Sequence, residues 1–378
     1  MRVEQITDFE AFLQLERDWT AVCEAAGAAS FFLSHAWFRC CWVGKPEGVQ
    51  PLVLVAREGN SIIGIAPFFV RASSWRIFPV RAALLMQNQD SPFADFVALP
   101  DRAAEVTRSL LEHLTLEARC HVVSLHKILR SSPTHDVLLG SGFAAPLIRA
   151  GSGSSPVLLL QSDWSGFWTA QSQRFKKTVR NIANRVERLG RVSVEELSAK
   201  STPAECLQTY TSVAERGWKA PLPTSIGRNP AIARFFETLT AVLHAKRQLS
   251  LWVLRVDDVP IAAEYHVRDG DSVYALRSDF DDRYREASPG AYLNEQIIRA
   301  YFAQPLRVYD MGPGDNAYKQ RWATGATEFD DLSLFSRRLY AMTVYAVEQH
   351  AVPRLRQARE WWRRDAAAVA PADPASTA

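Results

Sequence analysis

The sequence predicts an α/β fold, of the α+β kind, built as two mixed-sheet halves each flanked by helices. Three observations lead there. Two stretches read as β-hairpins: Leu52–Arg57 with Ile62–Val70 across Glu58-Gly59-Asn60, and Leu251–Val256 with Ile261–Val267 across Asp257-Asp258. Both follow helical stretches. In the second half, strands then alternate with helices, the pattern of a mixed sheet. A chain of 378 residues suits two domains.

The first half opens with helical stretches over Asp8–Ala26 and Ser34–Trp42, with Asp8 and Ser34 at N-cap positions. Gly151–Pro156 reads GSGSSP, a flexible link by composition, and the boundary between halves is expected there. The expected divisions are 1–155, 156–345 and a terminal helix and disordered tail over 346–378. The sharpest helix follows the link. Phe175, Val179, Ile182, Val186 and Leu189 form one apolar stripe, and Gly190 stops it. Its other faces carry Arg174, Lys176, Lys177, Arg180, Arg185 and Arg188 against the single acid Glu187.

Beyond this helix, Val192–Leu197 reads as a strand and helices run to about Lys246. The second hairpin and a third strand, Val273–Ser278, come next. Ala291–Ala303 is a helix with Leu293, Ile297, Ile298, Tyr301 and Phe302 on its apolar side. Val308–Met311 and Leu332–Phe335 are strands, with a short helix Tyr318–Ala323 between them.

Composition narrows the function. The formal charge of +3 is too mild to imply nucleic acid, and no DNA partner is expected. Five cysteines with no C-x-x-C suggest neither a disulfide framework nor a zinc site, and no metal is expected. The polar N-terminus does not read as a signal peptide, and no apolar run is long enough to span a membrane. A cytoplasmic location is the expectation. No P-loop, G-x-G-x-x-G, G-x-S-x-G or H-E-x-x-H occurs.

Five clusters carry potential chemistry. In Tyr284–Gly290, Ser288 suits a helix N-cap and Pro289 the first helical position. Gly290 lets a ligand approach, and Arg285 adds charge at a helix start that favours anions. In Asp310-Met311-Gly312-Pro313-Gly314-Asp315 a tight turn ends a strand, ahead of Tyr318-Lys319 and Trp322. There Lys319 suits an oxyanion and Tyr318 proton donation. Glu264 and His266 share one face of a strand and form a general-base pair or a satisfied buried pair. Arg216-Gly217-Trp218-Lys219 offers a substrate wall or a helix end, and the basic helix an anion-binding face or a solvated one.

These residues resemble a known group. Ile261–Trp322 carries Ala262-Ala263, Phe280-Asp281, Ser288-Pro289-Gly290, Leu293, Tyr309-Asp310, Gly314-Asp315, Tyr318-Lys319 and Trp322. This run resembles the CelD/BioF2-like acetyltransferase family of the GNAT superfamily, relatives of the FemABX peptidyltransferases. Phe175-Lys176-Lys177, Arg180-Asn181, Arg185 and Gly217-Trp218-Lys219 fit the same pattern. So do Phe32–Trp37 and Gly64–Pro67 in the first half.

The resemblance implies a tandem GNAT-like fold; the N-terminal half has no Arg/Gln-x-x-Gly-type loop after its hairpin and is expected to be degenerate. It implies transfer of an acyl group, acetyl foremost, from acyl-CoA as co-substrate, with no tightly bound cofactor. The acceptor would be an amine or hydroxyl, with an envelope or exopolysaccharide precursor as one class. Arg285, Ser288 and Gly290 fall on the family's Q/R-x-x-G-x-G/A loop, with Ser288 where the first Gly is usual. Pro289, Ala291 and Leu293 join them as donor-binding residues. Tyr318 and Lys319 resemble the family's aromatic-Lys pair and general acid; no base carries over from the resemblance, and Glu264 is the choice here, with Asp279 and Asp281 as alternatives and Asp315 completing the expected catalytic set. Trp218, Lys219, His266, Asp310 and Trp322 are the implied substrate-binding set. Two other readings stay open: a FemABX-like transferase using aminoacyl-tRNA, and a non-catalytic GNAT-fold binding protein. Trp361-Trp362-Arg363-Arg364 suits a peripheral membrane contact or a packed terminal helix.

Overall fold

The computed structural model describes residues 1–28, 30–140, 145–314, 317–352 and 354. The strands are β1 (Arg2–Ile6), β2 (Gln50–Glu58), β3 (Ser61–Trp75), β4 (Phe78–Leu85), β5 (Val97–Ala98), β6 (Val122–Leu129), β7 (Leu147–Leu159), β8 (Val192–Glu196), β9 (Leu249–Val256), β10 (Val259–Asp269), β11 (Ser272–Phe280), β12 (Val308–Asp310) and β13 (Gly325–Phe335). They form one sheet in the order β1-β2-β3-β4-β6-β13-β7-β12-β11-β10-β9-β8, with β5 on β3.

The order reveals an internal repeat. In each half an antiparallel meander (β2-β3-β4 or β9-β10-β11) is followed by a helix and a parallel strand. The helix is Ala103–Leu116 in the first half and Pro289–Phe302 in the second. The parallel pairs are β4–β6 and β11–β12. The halves then exchange strands. β7, from the first half in sequence, pairs with β12, while β13, the last strand, inserts between β6 and β7.

The expected flexible link is therefore corrected. Gly151–Pro156 is the middle of β7, held to β13 through pairs such as Gly153↔Phe329 and Gly151↔Asp331. Backbone pairing needs no side chain, and here the missing side chain is required. A Cβ on Gly153 would lie 2.6 Å from the Phe329 ring. The expected boundary at 155/156 falls within this shared strand.

Local signals account for much of the rest. Asp8 and Ser34 each accept a backbone N–H from the first turn of their helices. Thr202 and Glu205 form a reciprocal capping box ahead of the helix Pro203–Ala214. The first half's core runs without a break into the second. Trp37, on the helix His35–Val43, meets Phe235 edge-on at 5.4 Å. Phe235 belongs to the helix Pro230–Ala245 of the other half. The two helices meet at Gly44, where a Cβ would fall 2.4 Å from the Phe235 Cβ and 2.9 Å from the Ala231 carbonyl oxygen. Backbone cannot yield as a side chain does. Gly44→Ala is expected to cost about 1–3 kcal/mol by overpacking, read as a lower urea midpoint.

The five cysteines are all buried and unpaired. Among the described residues, no helix is long and apolar enough to cross a membrane.

Candidate active site

The site arises where the sheet opens. β11 and β12 pair over only three positions, Ser272↔Val308, Val273↔Tyr309 and Tyr274↔Asp310. A bulge leaves Leu276 of β11 without a partner on β10, which alters the strand's course at that point. The chain after Asp310 turns away at Gly312, whose φ is +76°. A Cβ there would sit 2.7 Å from the Ala275 carbonyl oxygen, so the turn needs both the conformation and the small size of glycine. Between the parting strands lies a cavity of about 700 Å³.

The cavity passes through the sheet. Paired residues on neighbouring strands share a face. Tyr265↔Arg277 and Ala263↔Asp279 therefore mark one face, and Glu264↔Ser278 the other. Residues of both sets line the cavity. One mouth is bounded by Trp218, Lys219, Asp279 and Arg277, with Gln89 and Asp90 from the first half. The other is bounded by Arg285, Ser288, Gly290 and Ala291 at the start of the helix Pro289–Phe302. Glu264, Asn294, Tyr309, Tyr318 and Lys319 complete the lining.

The floor is polar and buried. Glu264 is 2% exposed. One carboxylate oxygen lies 2.9 Å from His266 Nε2, and the other accepts from Ser278 Oγ at 3.3 Å. Tyr309 donates to Glu264 at 3.5 Å, and Asn294 Nδ2 donates to the Tyr309 hydroxyl at 3.1 Å. Asn294 lines the cavity, and its Oδ1 is buried with no hydrogen-bond partner among the described residues. Lys319 Nζ donates to the carbonyls of Gly312 and Pro313 at 3.0 and 3.3 Å. Burial pushes its pKa down, against the opposing pull of Asp310 and Glu264. Burial, with the Glu264 charge, pushes the Tyr318 phenol well above its ordinary value, so it stays protonated.

At the helix start, Ser288 does not make the expected side-chain cap. It sits in the left-handed region at φ 62° and makes no capping bond. Its Oγ instead accepts from Arg185 at 3.2 Å. The basic helix, Gln173–Glu187, therefore delivers a second arginine beside Arg285, which itself pairs with Asp282 at 2.8 Å. Pro289 holds the first helical position. A Cβ on Gly290 would meet only Phe280, at an ordinary 3.5 Å, so the protein's own packing does not require a glycine there.

The structure brings Glu264, Tyr318, Lys319, Trp218, Lys219, Arg285, Ser288, Gly290 and Ala291 to one cavity. Other expected contacts are corrected. Leu293 is fully buried core, and Pro289 is buried in the first turn of the same helix. His266 lies behind Glu264, fully buried. Asp310 is buried beneath the Gly312 turn, whose N–H it accepts at 2.8 Å. Trp322 packs edge-on against Phe175 at 4.8 Å, in the joint below the basic helix. Asp281 is fully buried in ion pairs with Arg216 and Arg283, which removes it as a base. Asp279 does line the cavity, tied to Lys219 at 3.1 Å and to Tyr210. Asp315 and Trp361–Arg364 lie outside the described residues.

Sequence reasoning passed over Asn294 as a site residue and left Tyr309 without a role. Asn294 carried a signal, a polar residue on a helix face otherwise made of Leu293, Ile297, Ile298 and Tyr301.

Residues 173–320 match the family described as an acetyltransferase (GNAT) domain. This region is a GNAT-type acetyltransferase domain. GNAT domains generally use an acyl-CoA as co-substrate. The match covers the basic helix, the splayed strands and the Tyr318-Lys319 pair. No curated protein matches the chain. Among solved structures, FemX is similar at 11% identity and TM-score 0.54, over 91% of this chain and 100% of that one. A tandem GNAT protein from the clavulanic acid biosynthesis pathway is similar at 12% and 0.54, over 88% and 98%. L-PGS from Bacillus licheniformis is similar at 14% and 0.53, over 88% and 95%. These likenesses span both halves, and the fold is a tandem GNAT fold.

Proposed function

We propose that the protein transfers an acyl group from acyl-CoA to a primary amine in the cavity between β11 and β12. The observation that carries this is the splayed sheet, with an anion-favouring helix start at one mouth and a carboxylate, a phenol and an ammonium at its centre. The CoA pyrophosphate would lie at the first turn of the helix Pro289–Phe302, beside Arg285 and Arg185. The acceptor would enter from the Trp218 side. Glu264 takes the amine's proton as nitrogen attacks the thioester carbonyl. Lys319 has three N–H donors, two of them held by carbonyls, and the third stabilises the oxyanion. Tyr318 protonates the departing thiolate and regains its proton from solvent, to which it is 39% exposed, as Glu264 releases its own into the cavity. Glu264 and Asp279, carboxylates that line the cavity, are both hydrogen-bond acceptors. That favours an amine, with several N–H groups, over a hydroxyl with one. Acetyl is the first donor to try, and an amino sugar of the cell envelope is one acceptor class worth testing.

Calorimetric titration with acetyl-CoA and CoA tests the donor site. Wild type is expected to bind both. Gly290→Ala is expected to fold as well as wild type, because alanine is the better helix former. It should nonetheless bind at least about tenfold more weakly, since its methyl group occupies the ligand's approach; a loss of that size is about 1.4 kcal/mol. Arg285→Ala should weaken binding too. Unchanged affinity in both variants would sink this placement of the donor. Failure of wild type to bind either ligand would turn attention to aminoacyl-tRNA, with the basic helix as its contact, or to a binding role.

A further inference from the structure

We propose that the acceptor is a short aliphatic diamine, and that Lys219 fills the seat of its second ammonium in the free protein. The proposal rests on the reading of Glu264 as base and names the acceptor of that same reaction. At the Trp218 mouth, Lys219 Nζ lies 3.1 Å from the Asp279 carboxylate, donates to the Ser278 carbonyl at 2.6 Å and sits 5.8 Å from the centre of the Trp218 ring. A carboxylate, a carbonyl and an indole together make a seat for an alkylammonium. Trp218, Lys219, Ser278 and Asp279 all line the cavity. Gly217 lets the chain come this close to β11. A Cβ on it would lie 2.9 Å from the Phe280 carbonyl oxygen.

The carboxylate is fixed and its cation is exchangeable. Asp279 is buried and accepts from the Tyr210 hydroxyl. A carboxylate placed so is costly without a cation beside it. The Lys219 side chain is 40% exposed, so its ammonium can move out to water, and ion pairs of that exposure are weak. Asp90, the other carboxylate at this mouth, is held by the largely buried Arg277 at 2.8 Å. Asp279 is therefore the one whose cation can be replaced. Trp218 is 51% exposed, an uncovered indole beside the seat, and the methylene chain of an alkylammonium would cover it.

Ser278 sets the span. Its carbonyl marks the seat, and its hydroxyl donates to Glu264 at 3.3 Å. The two oxygens of one serine lie no more than about 4.5 Å apart by covalent geometry. The seat is therefore within about 10 Å of the Glu264 carboxylate. An amine that approaches Glu264 from the seat side then lies about 7 Å or less from an ammonium in the seat. A chain of about four or five methylene groups covers that distance. Glu264 and Asp279 belong to opposite faces of the sheet, and the cavity joins them. The nitrogen at Glu264 is the one acylated: its bond to the carbonyl carbon forms as the C–S bond breaks, Glu264 takes its proton and the thiolate takes that of Tyr318. The ammonium at Asp279 keeps its protons throughout. One cation replaces another there, so the charge at the seat is unchanged.

The test compares kcat/KM for 1,4-diaminobutane and 1,5-diaminopentane with those for 1-aminobutane and 1-aminopentane, with acetyl-CoA as donor. Wild type is expected to prefer the diamines by at least about tenfold, the effect of one hydrogen-bonded charge. Asp279→Asn should bring that ratio to about one. Lys219→Met should lower KM for the diamines about two- to fivefold, because it removes the competing ammonium. A lysine that only braces the turn predicts an unchanged or higher KM, and that result overturns the proposal. Lys219→Met alters a half-exposed side chain, so it remains informative if Asp279→Asn fails to fold. Equal transfer to diamines and monoamines by wild type, or an unchanged ratio in Asp279→Asn, overturns the seat and leaves the transferase reading standing. If wild type transfers no acyl group, the transferase reading fails instead. The seat is then read by calorimetric titration with 1,5-diaminopentane alone, expected to bind wild type and to bind Lys219→Met more tightly; no binding to either overturns it.

Discussion

Glu264→Gln is expected to lower kcat by about 10²–10⁴-fold, the span that a positioned general base contributes. Glutamine has nearly the same shape, and its amide can still bond His266 and Ser278. What it cannot do is take a proton. The loss should therefore fall on kcat, with acetyl-CoA affinity by titration unchanged, because the donor site lies at the helix start. Steady-state kinetics with a panel of primary amines, following thiol release, would measure it. Alcohols of similar shape should react more slowly in the wild type. Activity within a few fold of wild type would hand the base to Asp279, the carboxylate bound by Lys219 at 3.1 Å on the other face of the sheet.

The second large effect is on stability. Burial raises the Asp310 carboxyl from 3.8 to about 6. Asp310 is 4% exposed, so the shift is not diluted by solvent. The folded state holds this proton more tightly than the unfolded chain, so the native state is penalised as pH rises through this interval. Below about pH 4 both states are protonated and there is no penalty. Above about pH 6 the penalty is complete, at about 3 kcal/mol. Asp310→Asn keeps an acceptor for the Gly312 N–H and removes the charge. It is expected to gain about 1–3 kcal/mol over wild type at pH 8 and almost nothing at pH 4, by urea unfolding at both pH values. A gain that does not depend on pH would show that Asp310 titrates alike in the folded and unfolded chain, and would overturn the shift. The same variant loses the charge that supports protonation of Lys319, so its activity should fall earlier on the alkaline side. A carboxylate that costs this much is explained by the lysine that it helps keep charged.

Much of this molecule was legible along the chain. The hairpins, the amphipathic basic helix and the capped helix starts are local events, decided by periodicity and by side chains within four residues. The Gly312 turn is of the same kind. So were the Tyr318-Lys319 pair and Arg285, which lie in short helical turns beside turn residues, and Glu264, as a carboxylate two residues from His266 on one face of β10.

Other features depend on neighbours distant in sequence. Gly151–Pro156 has the composition of a linker, and it is a strand because Phe329 needs the space above Gly153. Ser288 has the chemistry of a cap, yet Arg185, 103 residues away, takes its hydroxyl. Asn294 and Tyr309 become site residues only because β11 and β12 part after three pairs. The first half offers the comparison. Its parallel pair is β4–β6, and Lys127 near the end of β6 donates to the carbonyls of Gln89 and Ser91 in the segment that follows β4. That segment then reaches across the halves, where Asp90 pairs with Arg277 at 2.8 Å and Gln89 lines the cavity.

By itself, then, the sequence determined the elements and the chemical types at their ends, because backbone preference, capping and periodicity act over a few residues. The tertiary structure alone decided which strands exchange between halves, which gap stays open, and which side chains line it. Those outcomes depend on packing and hydrogen-bond satisfaction between residues tens to hundreds of positions apart, and no local pattern encodes them.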